Sequence, residues 1–263
     1  TNIFGAMVAM ENPATPLIAH PITNTGTMRF HDGTSFSNAN LINQAGGVIE
    51  KTTGTQSVTI CSFNGLIPQM VNYGLMRCTS GTLNLSGYGE QRGLWVTEGS
   101  ARIGIQGEQT LMIAYLRSLG GEAIAVLSNG GTLTTSSNSG TMTLGGLELS
   151  NGTVRANTLI RLKSLSMYGG KFQGPEPIEV DGPATVASGI FESGITKFMG
   201  QTQWVAGSSK IVTNLIEVTN DLTRSGGGEI GSGNGELRNY ANFRTTGGGQ
   251  MMGIDIINNG NWI

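Results

Sequence analysis

The stretch Ile22-Thr23-Asn24-Thr25-Gly26-Thr27-Met28 recurs as Val71-Asn72-Tyr73-Gly74-Leu75-Met76 and again as Ile257-Asn258-Asn259-Gly260-Asn261-Trp262. Looser copies run Ile42-Asn43-Gln44-Ala45-Gly46 and Leu237-Arg238-Asn239-Tyr240-Ala241-Asn242-Phe243. Asn24 to Asn43 is 19 residues, and so is Asn239 to Asn258. A second series pairs Gly with Thr ahead of an alternating run, at Gly33-Thr34, Gly54-Thr55, Gly81-Thr82, Gly131-Thr132, Gly140-Thr141 and Gly152-Thr153. Both series imply a repeat of roughly 20 to 28 residues, and self-similarity at such a period is the mark of a stacked architecture.

What fills each period decides which kind of stack. Thr82-Leu83-Asn84-Leu85, Ala101-Arg102-Ile103-Gly104-Ile105 and Ile178-Glu179-Val180 alternate apolar and other residues between glycine or asparagine breaks, as short strands do. Helices are excluded over most of the chain, because an interior glycine costs about 1 kcal/mol and glycine interrupts nearly every window. Two or three short strands per repeat, joined at polar corners, predict an all-β chain: a parallel β-helix, or β-solenoid, whose coils stack about 4.8 Å apart. Asparagine and glycine suit the corners because both tolerate positive φ. Stacked asparagines can also bond one another from coil to coil. Asn24, Asn43, Asn72, Asn239 and Asn258, with Gly26, Gly74 and Gly260, are therefore the expected corner and ladder residues.

Composition agrees. Of 263 residues 42 are glycine and only 12% are charged, and in-register stacking would set like charges about 5 Å apart. A net charge of −2 with scattered basic residues argues against nucleic acid, which requires a concentrated basic footprint. No run approaches the roughly 18 apolar residues of a membrane helix, so membrane insertion is not expected. Residues 1–21, with Pro13, Pro16 and Pro21, read as a lead-in or cap. Residues 22–263 read as a single solenoid domain with an irregular insertion near 106–130. There Thr110 to Leu119 and Ile124 to Leu127 are expected to be two buried strands around a turn, with a short helix as the alternative for the first.

The phrases Gly47-Val48-Ile49-Glu50-Lys51-Thr52-Thr53-Gly54, Ser62-Phe63-Asn64, Val71-Asn72-Tyr73-Gly74 and Ser80-Gly81-Thr82-Leu83-Asn84-Leu85-Ser86-Gly87 resemble the repeats of large secreted bacterial surface proteins. Gly169-Gly170-Lys171-Phe172-Gln173-Gly174 and Gly189-Ile190-Phe191-Glu192-Ser193-Gly194 resemble further phrases of the same kind. These are the autotransporter-passenger and filamentous-adhesin type. The resemblance implies a right-handed parallel β-helix at the cell surface or outside the cell, serving as stalk, adhesin segment or filament subunit. It carries over no catalytic residue. The chain departs from that pattern in showing no recognisable translocation barrel and in the irregular stretch of 105–130.

Candidate chemistry is sparse, and no cofactor is expected. His20 and His31 are the only histidines; His31-Asp32 lacks a third ligand or adjacent nucleophile at useful spacing, and a solvated turn is the expectation. Gly226-Gly227-Gly228-Glu229-Ile230-Gly231 matches the dinucleotide fingerprint in letters, but no helix pattern follows it. Glu176, Glu179, Asp181 and Glu192 are the carboxylates that a sugar-cleaving β-helix would gather on one face. That enzyme, a polysaccharide lyase or hydrolase of the tailspike kind, is the rival to a non-enzymatic structural or adhesive role. Cys61 and Cys78 are a candidate disulfide, although the Gly-Thr alignment places them out of register. Trp95, Trp204 and Trp262 are expected to pack the coils. The last copy, Ile257 to Ile263, reads as half a coil with an open strand edge, so the expected partners are a second copy stacked end to end or along strand edges, and a host-surface or carbohydrate ligand.

Overall fold

The computed structural model describes residues 2–4, 8–10, 21–37, 40–62, 69–111, 115–118, 124–127, 130–137, 140–207, 210–227, 229–231, 233–247 and 251–263. Among these, every regular element is a β-strand, and every paired strand runs parallel to its neighbour one coil away. The fold is a β-solenoid. Its coils fall into two compact units, Thr1–Ser139 and Gly140–Ile263, within the stretch that reads in sequence as one solenoid.

In the first unit the coils between Ile22 and Leu127 each supply three strands. Ile22–Asn24 leads to Thr27–Phe30 and Ser35–Ser37; the next coil supplies Leu41–Asn43, Val48–Lys51 and Ser57–Ser62, and the one after it Gln69–Asn72, Leu75–Cys78 and Thr82–Leu85. Each strand pairs only with its counterparts above and below, so register is set coil by coil. Strands form earlier than 22: Asn2–Phe4 pairs with Ile22–Asn24 and Val8–Met10 with Thr27–Phe30. Pro13 and Pro16 lie outside the described residues.

The stretch near 106–130 continues this pattern. Tyr115–Ser118 stacks on Leu94–Thr97, and Ile124–Leu127 stacks on Arg102–Ile105. Thr110 to Leu119, read in sequence as one strand, is divided: Thr110 and Leu111 end the strand Glu108–Leu111, and Tyr115–Ser118 is a separate strand of the other sheet. Ile124–Leu127 is a strand as read, and it does not pair with Tyr115–Ser118. Each finds its hydrogen bonds in the coil before it.

Alternation along each strand builds the interior. Thr27–Phe30 buries Met28 and Phe30, and the register stacks Met28, Ile49, Met76 and Trp95 in one column inside the first unit. In the second unit Ile160, Ile178, Thr196, Ile216 and Leu237 form a comparable column, and Phe172, Phe191 and Phe198 meet edge to face at 5.8 and 6.2 Å. Each such aliphatic or aromatic side chain contributes about 1.5–3 kcal/mol by leaving water.

Coil length varies around this fixed stack. Arg161 meets Glu179 across 18 residues and Asn43 meets Asn72 across 29, a slightly wider span than the repeat spacing implies. Extra residues are tolerated at corners because only the strands must stay in register. One irregularity falls within a strand: the pairing of Phe36 with Ile60 and Ser37 with Ser62 leaves Cys61 as an extra residue in a bulge, with φ of 55° and its side chain buried. A non-glycine residue in the left-handed region costs of order 1–3 kcal/mol, borne here by the ladder on either side.

Candidate functional site

The side chains capable of chemistry are gathered into columns that run from coil to coil, and three of these columns account for most of the candidates.

The first is an asparagine ladder at the end of the first strand in three successive coils of the first unit. Asn24 Nδ2 donates to Asn43 Oδ1 at 2.7 Å, and Asn43 Nδ2 donates to Asn72 Oδ1 at 2.7 Å. All three are fully buried. Their amides also close the corner, Asn24 to the Val48 carbonyl at 3.0 Å and Asn43 to those of Gly47 and Leu75 at 3.2 and 3.3 Å. The Gly26 N–H donates back to Asn24 Oδ1 at 3.3 Å. Gly74 has no room for a side chain: a Cβ there would lie 2.2 Å from the Gly47 carbonyl oxygen. The ladder changes character where Gln91 takes the register position after Asn72, leaving Asn72 Nδ2 buried without an acceptor. Gln91 instead donates to Gln109 at 2.7 Å and accepts from the Trp95 indole at 3.2 Å.

In the second unit Asn239 Nδ2 donates to Asn258 Oδ1 at 2.7 Å, and the Gly260 N–H donates to Asn258 Oδ1 at 3.3 Å. The strand they close is the second of its coil, so the same sequence motif serves a different corner. Val218 precedes Asn239 in register, and Asn239 Oδ1 is therefore buried without a donor.

The second column alternates in charge along an outer face of the second unit. Arg161, Glu179, Lys197, Glu217 and Arg238 are successive register partners. Arg161 Nε lies 3.0 Å from Glu179, while Lys197 Nζ lies 4.0 Å from Glu179 and 3.7 Å from Glu217. The first unit has a shorter version: Arg29, Glu50 and Arg77 are in register, and Arg29 grips the nearly buried Glu50 at 2.8 and 2.6 Å. Charge is thus admitted to the stack where signs alternate, a device invisible in the overall scarcity of charge.

The third centres on Lys51, which occupies an inward position in register with Phe30 and Cys78 and is fully buried. Its ammonium donates to Asp32 at 2.7 Å and to the Thr53 and Gly54 carbonyls at 2.6 and 3.3 Å. Asp32 also accepts from the Thr55 and Gln56 N–H groups at 3.0 and 3.1 Å. The Lys51 hydrogen bond, joined by these backbone donors, holds the Asp32 carboxyl below the usual carboxylate range against an opposing push from desolvation. His31 Nδ1 meets the Thr53 hydroxyl at 3.0 Å. The His31-Asp32 pair is accordingly a staple between coils. His20 lies outside the described residues.

The four candidate carboxylates do not converge. Glu179 is in the charged column; Glu192 is on a strand of the other sheet and accepts from Gln173 at 2.8 Å; Glu176 and Asp181 sit past the ends of different strands, at corners tied to Ala156 and Leu162 through their backbone N–H groups. Among the described residues no cluster of three His, Cys, Asp or Glu side chains could hold a metal ion. Gly228 of the glycine-rich stretch lies outside the described residues, and the element next along the chain from Gly231 is the strand Glu236–Asn239.

Cys61 and Cys78 are not bridged, a correction to the candidate disulfide. Cys78 stacks between Lys51 and Thr97, whereas Cys61 sits in the bulge on another face of the coil. Burial pushes the Cys61 thiol up to about 12 and raises that of Cys78. Trp95 and Trp204 pack the interior, while Trp262 is 55% exposed and lies on Phe243 with ring centroids 4.6 Å apart.

Lys51 and Lys210 are the residues that sequence reasoning missed. Lys210 is buried at 2% exposure, its ammonium held by the Ala187 and Val205 carbonyls at 2.8 and 3.0 Å. Their phase within the strands places both inward, but their residue type points outward, and only a paired acceptor could have resolved the conflict.

Fold and ladders together define a parallel β-solenoid held by buried asparagine ladders and alternating-charge columns. No protein-family profile, curated protein or solved structure matches the chain.

Proposed function

We propose that this chain is a non-enzymatic structural or adhesive β-solenoid that works at the cell surface or outside the cell, as a stalk, adhesin segment or filament subunit. One observation carries the reading. Two of the four carboxylates an enzyme would gather are committed coil to coil, Glu179 to Arg161 and Lys197 and Glu192 to Gln173, and Asp32 is committed to Lys51. A carboxylate already bonded to its neighbours is poorly placed to exchange a proton with a substrate. The same commitment suits a load-bearing role, because each coil is fixed to the next by backbone bonds, buried amides and ion pairs at once. A second copy stacked end to end, or a host-surface or carbohydrate ligand, would be the partner of such a scaffold.

Incubation with acidic and neutral polysaccharides, read by reducing-end release and by ultraviolet absorbance of unsaturated product, tests this. No turnover is expected. Turnover that disappears in Glu179→Gln or Glu192→Gln would establish the lyase or hydrolase reading in its place.

A further inference from the structure

One cavity has several polar side chains that are uncommitted. It is an open cleft of about 420 Å3 in the first unit, lined by Ser86, Tyr88, Gln106, Gly107, Glu108, Gly130 and Thr132. That volume lies within the range of about 300–1,000 Å3 typical of small-ligand clefts. The lining comes from three successive coils. Gly89 pairs with Gln109 and Glu108 with Thr132, so Tyr88, Glu108 and Thr132 form one outward column, with Ser86 and Gln106 at the corner beside it.

Glycine makes the concavity. At Gly107 a Cβ would lie 2.2 Å from the Gly87 carbonyl oxygen, so close stacking of the corner demands glycine and leaves a floor without side chains. Gly130 has a φ of 78° and continues that floor.

The walls present a half-exposed phenol ring and unspent hydrogen-bonding capacity. Tyr88 is 47% exposed. Among the described residues no hydrogen bond or ion pair engages the Tyr88 hydroxyl, the Gln106 amide or the Glu108 carboxylate, in contrast to the paired Gln91–Gln109 and Gln173–Glu192. An apolar ligand would strip water from these groups without replacing its hydrogen bonds. Among the described residues Glu108 is the only charged side chain in the lining, so a phosphate, sulfate or uronate would meet no cation there. A pyranose offers what remains, an apolar C–H face for an aromatic ring and a rim of hydroxyls for an amide and a carboxylate.

We propose that this cavity is a binding site for a neutral saccharide, with Tyr88 as the stacking platform and Gln106 and Glu108 as the hydroxyl-binding groups. The proposal rests on the adhesive reading and deepens it by naming the ligand class and the residues that take it.

The test uses the full chain with cellotriose, maltotriose and mannotriose as neutral probes and trigalacturonate as the anionic one, followed by saturation-transfer NMR and calorimetry. At least one neutral trisaccharide binds; Tyr88→Ala weakens it by about tenfold or more, and Gln106→Ala weakens it measurably. Gly130→Asn abolishes binding while preserving the fold, because asparagine tolerates the left-handed backbone and a Cβ there meets nothing within 4 Å. Binding of no neutral probe, binding unchanged in both Tyr88→Ala and Gly130→Asn, or a preference for trigalacturonate overturns the site and leaves the structural role standing. Recovery of the bound trisaccharide as shorter sugars would instead overturn the non-enzymatic reading and leave the site in place.

Discussion

Asn43 donates to Asn72 at 2.7 Å although 29 residues separate them, and Asn24 donates to Asn43 at the same 2.7 Å across only 19. A coil ten residues longer leaves the bond unchanged, which means the ladder and the strands beside it dictate the stack while the corners absorb insertions. Replacing Asn43 with Ala should strand the Asn72 carbonyl and deprive Asn24 of one acceptor, costing about 2–4 kcal/mol in chemical denaturation. Asn43→Asp should cost more at neutral pH, since a carboxylate would replace the donor facing Asn72 Oδ1 and two backbone carbonyls. An equal or smaller loss in Asn43→Asp would show that the amide donor is not what holds the corner.

The alternating column should respond to sign and salt. Glu179 lies between Arg161 and Lys197, so Glu179→Lys places three cations in consecutive coils. We expect a loss of roughly 2 kcal/mol at low ionic strength, against about 1 kcal/mol for Glu179→Ala. The excess should fade in 1 M salt, where the screening length is about 3 Å. A salt-independent difference between the two variants would attribute the effect to packing instead.

Acid should release the Asp32–Lys51 staple. The Asp32 carboxyl titrates below its ordinary value, so its contribution is complete above pH about 3.9 and is lost as pH falls through the folded-state value. Gly54→Ala should remove this component at its source: φ there is 75°, and a Cβ would lie 2.0 Å from the Asp32 carboxylate. The variant should be destabilised at neutral pH by about 1–3 kcal/mol and should show a weaker acid dependence than the parent, both measured by thermal melts across pH.

Lys210 should make the protein more stable in alkali. Burial, with a smaller push from Arg224, holds the Lys210 ammonium below its ordinary pKa. The charged form is therefore disfavoured in the fold, and stability from this group rises as pH climbs through the folded value toward about 10.4, the unfolded one. Lys210→Met should differ from the parent at neutral pH by no more than about 1–3 kcal/mol, because removing the buried charge relieves its desolvation while the Ala187 and Val205 carbonyls lose a donor. The gain between neutral and alkaline pH should vanish in the variant; its persistence would assign the titration to another group.

Both thiols should resist modification until the chain unfolds. Cys61 and Cys78 are buried and titrate high, so little thiolate is present at neutral pH. Two equivalents of a thiol reagent should react in denaturant and close to none in the native protein over minutes. Fast native labelling would mean that the bulge at Cys61 opens locally.

Much of the fold was legible from residues alone. Glycine and asparagine recurring from coil to coil, with short alternating runs between them, specify strands, corners and a stack, because small residues where coils approach closely and period-two burial in a strand leave regular marks in a sequence; the positive φ expected at the corners is found at none of Asn24, Asn43, Asn72, Asn239, Asn258, Gly26, Gly74 and Gly260. The 19-residue spacing of Asn239 and Asn258 similarly matches their register. The charged columns left a trace, since Arg161, Glu179, Lys197, Glu217 and Arg238 alternate in sign from coil to coil, but the trace has meaning only once register is known.

Sequence by itself therefore determined the class of fold and the composition of its corners. Tertiary structure decided which residues meet: that Lys51 and Lys210 point inward, that Cys61 is displaced into a bulge away from Cys78, that the Asn motif closes different corners in the two units, and that Tyr88, Gln106 and Glu108 surround a cavity. The physical reason is that a solenoid's side-chain partners lie one coil away, at a separation that varies from 18 to 29 residues. A difference of one residue in that count moves a side chain to the opposite face of its sheet.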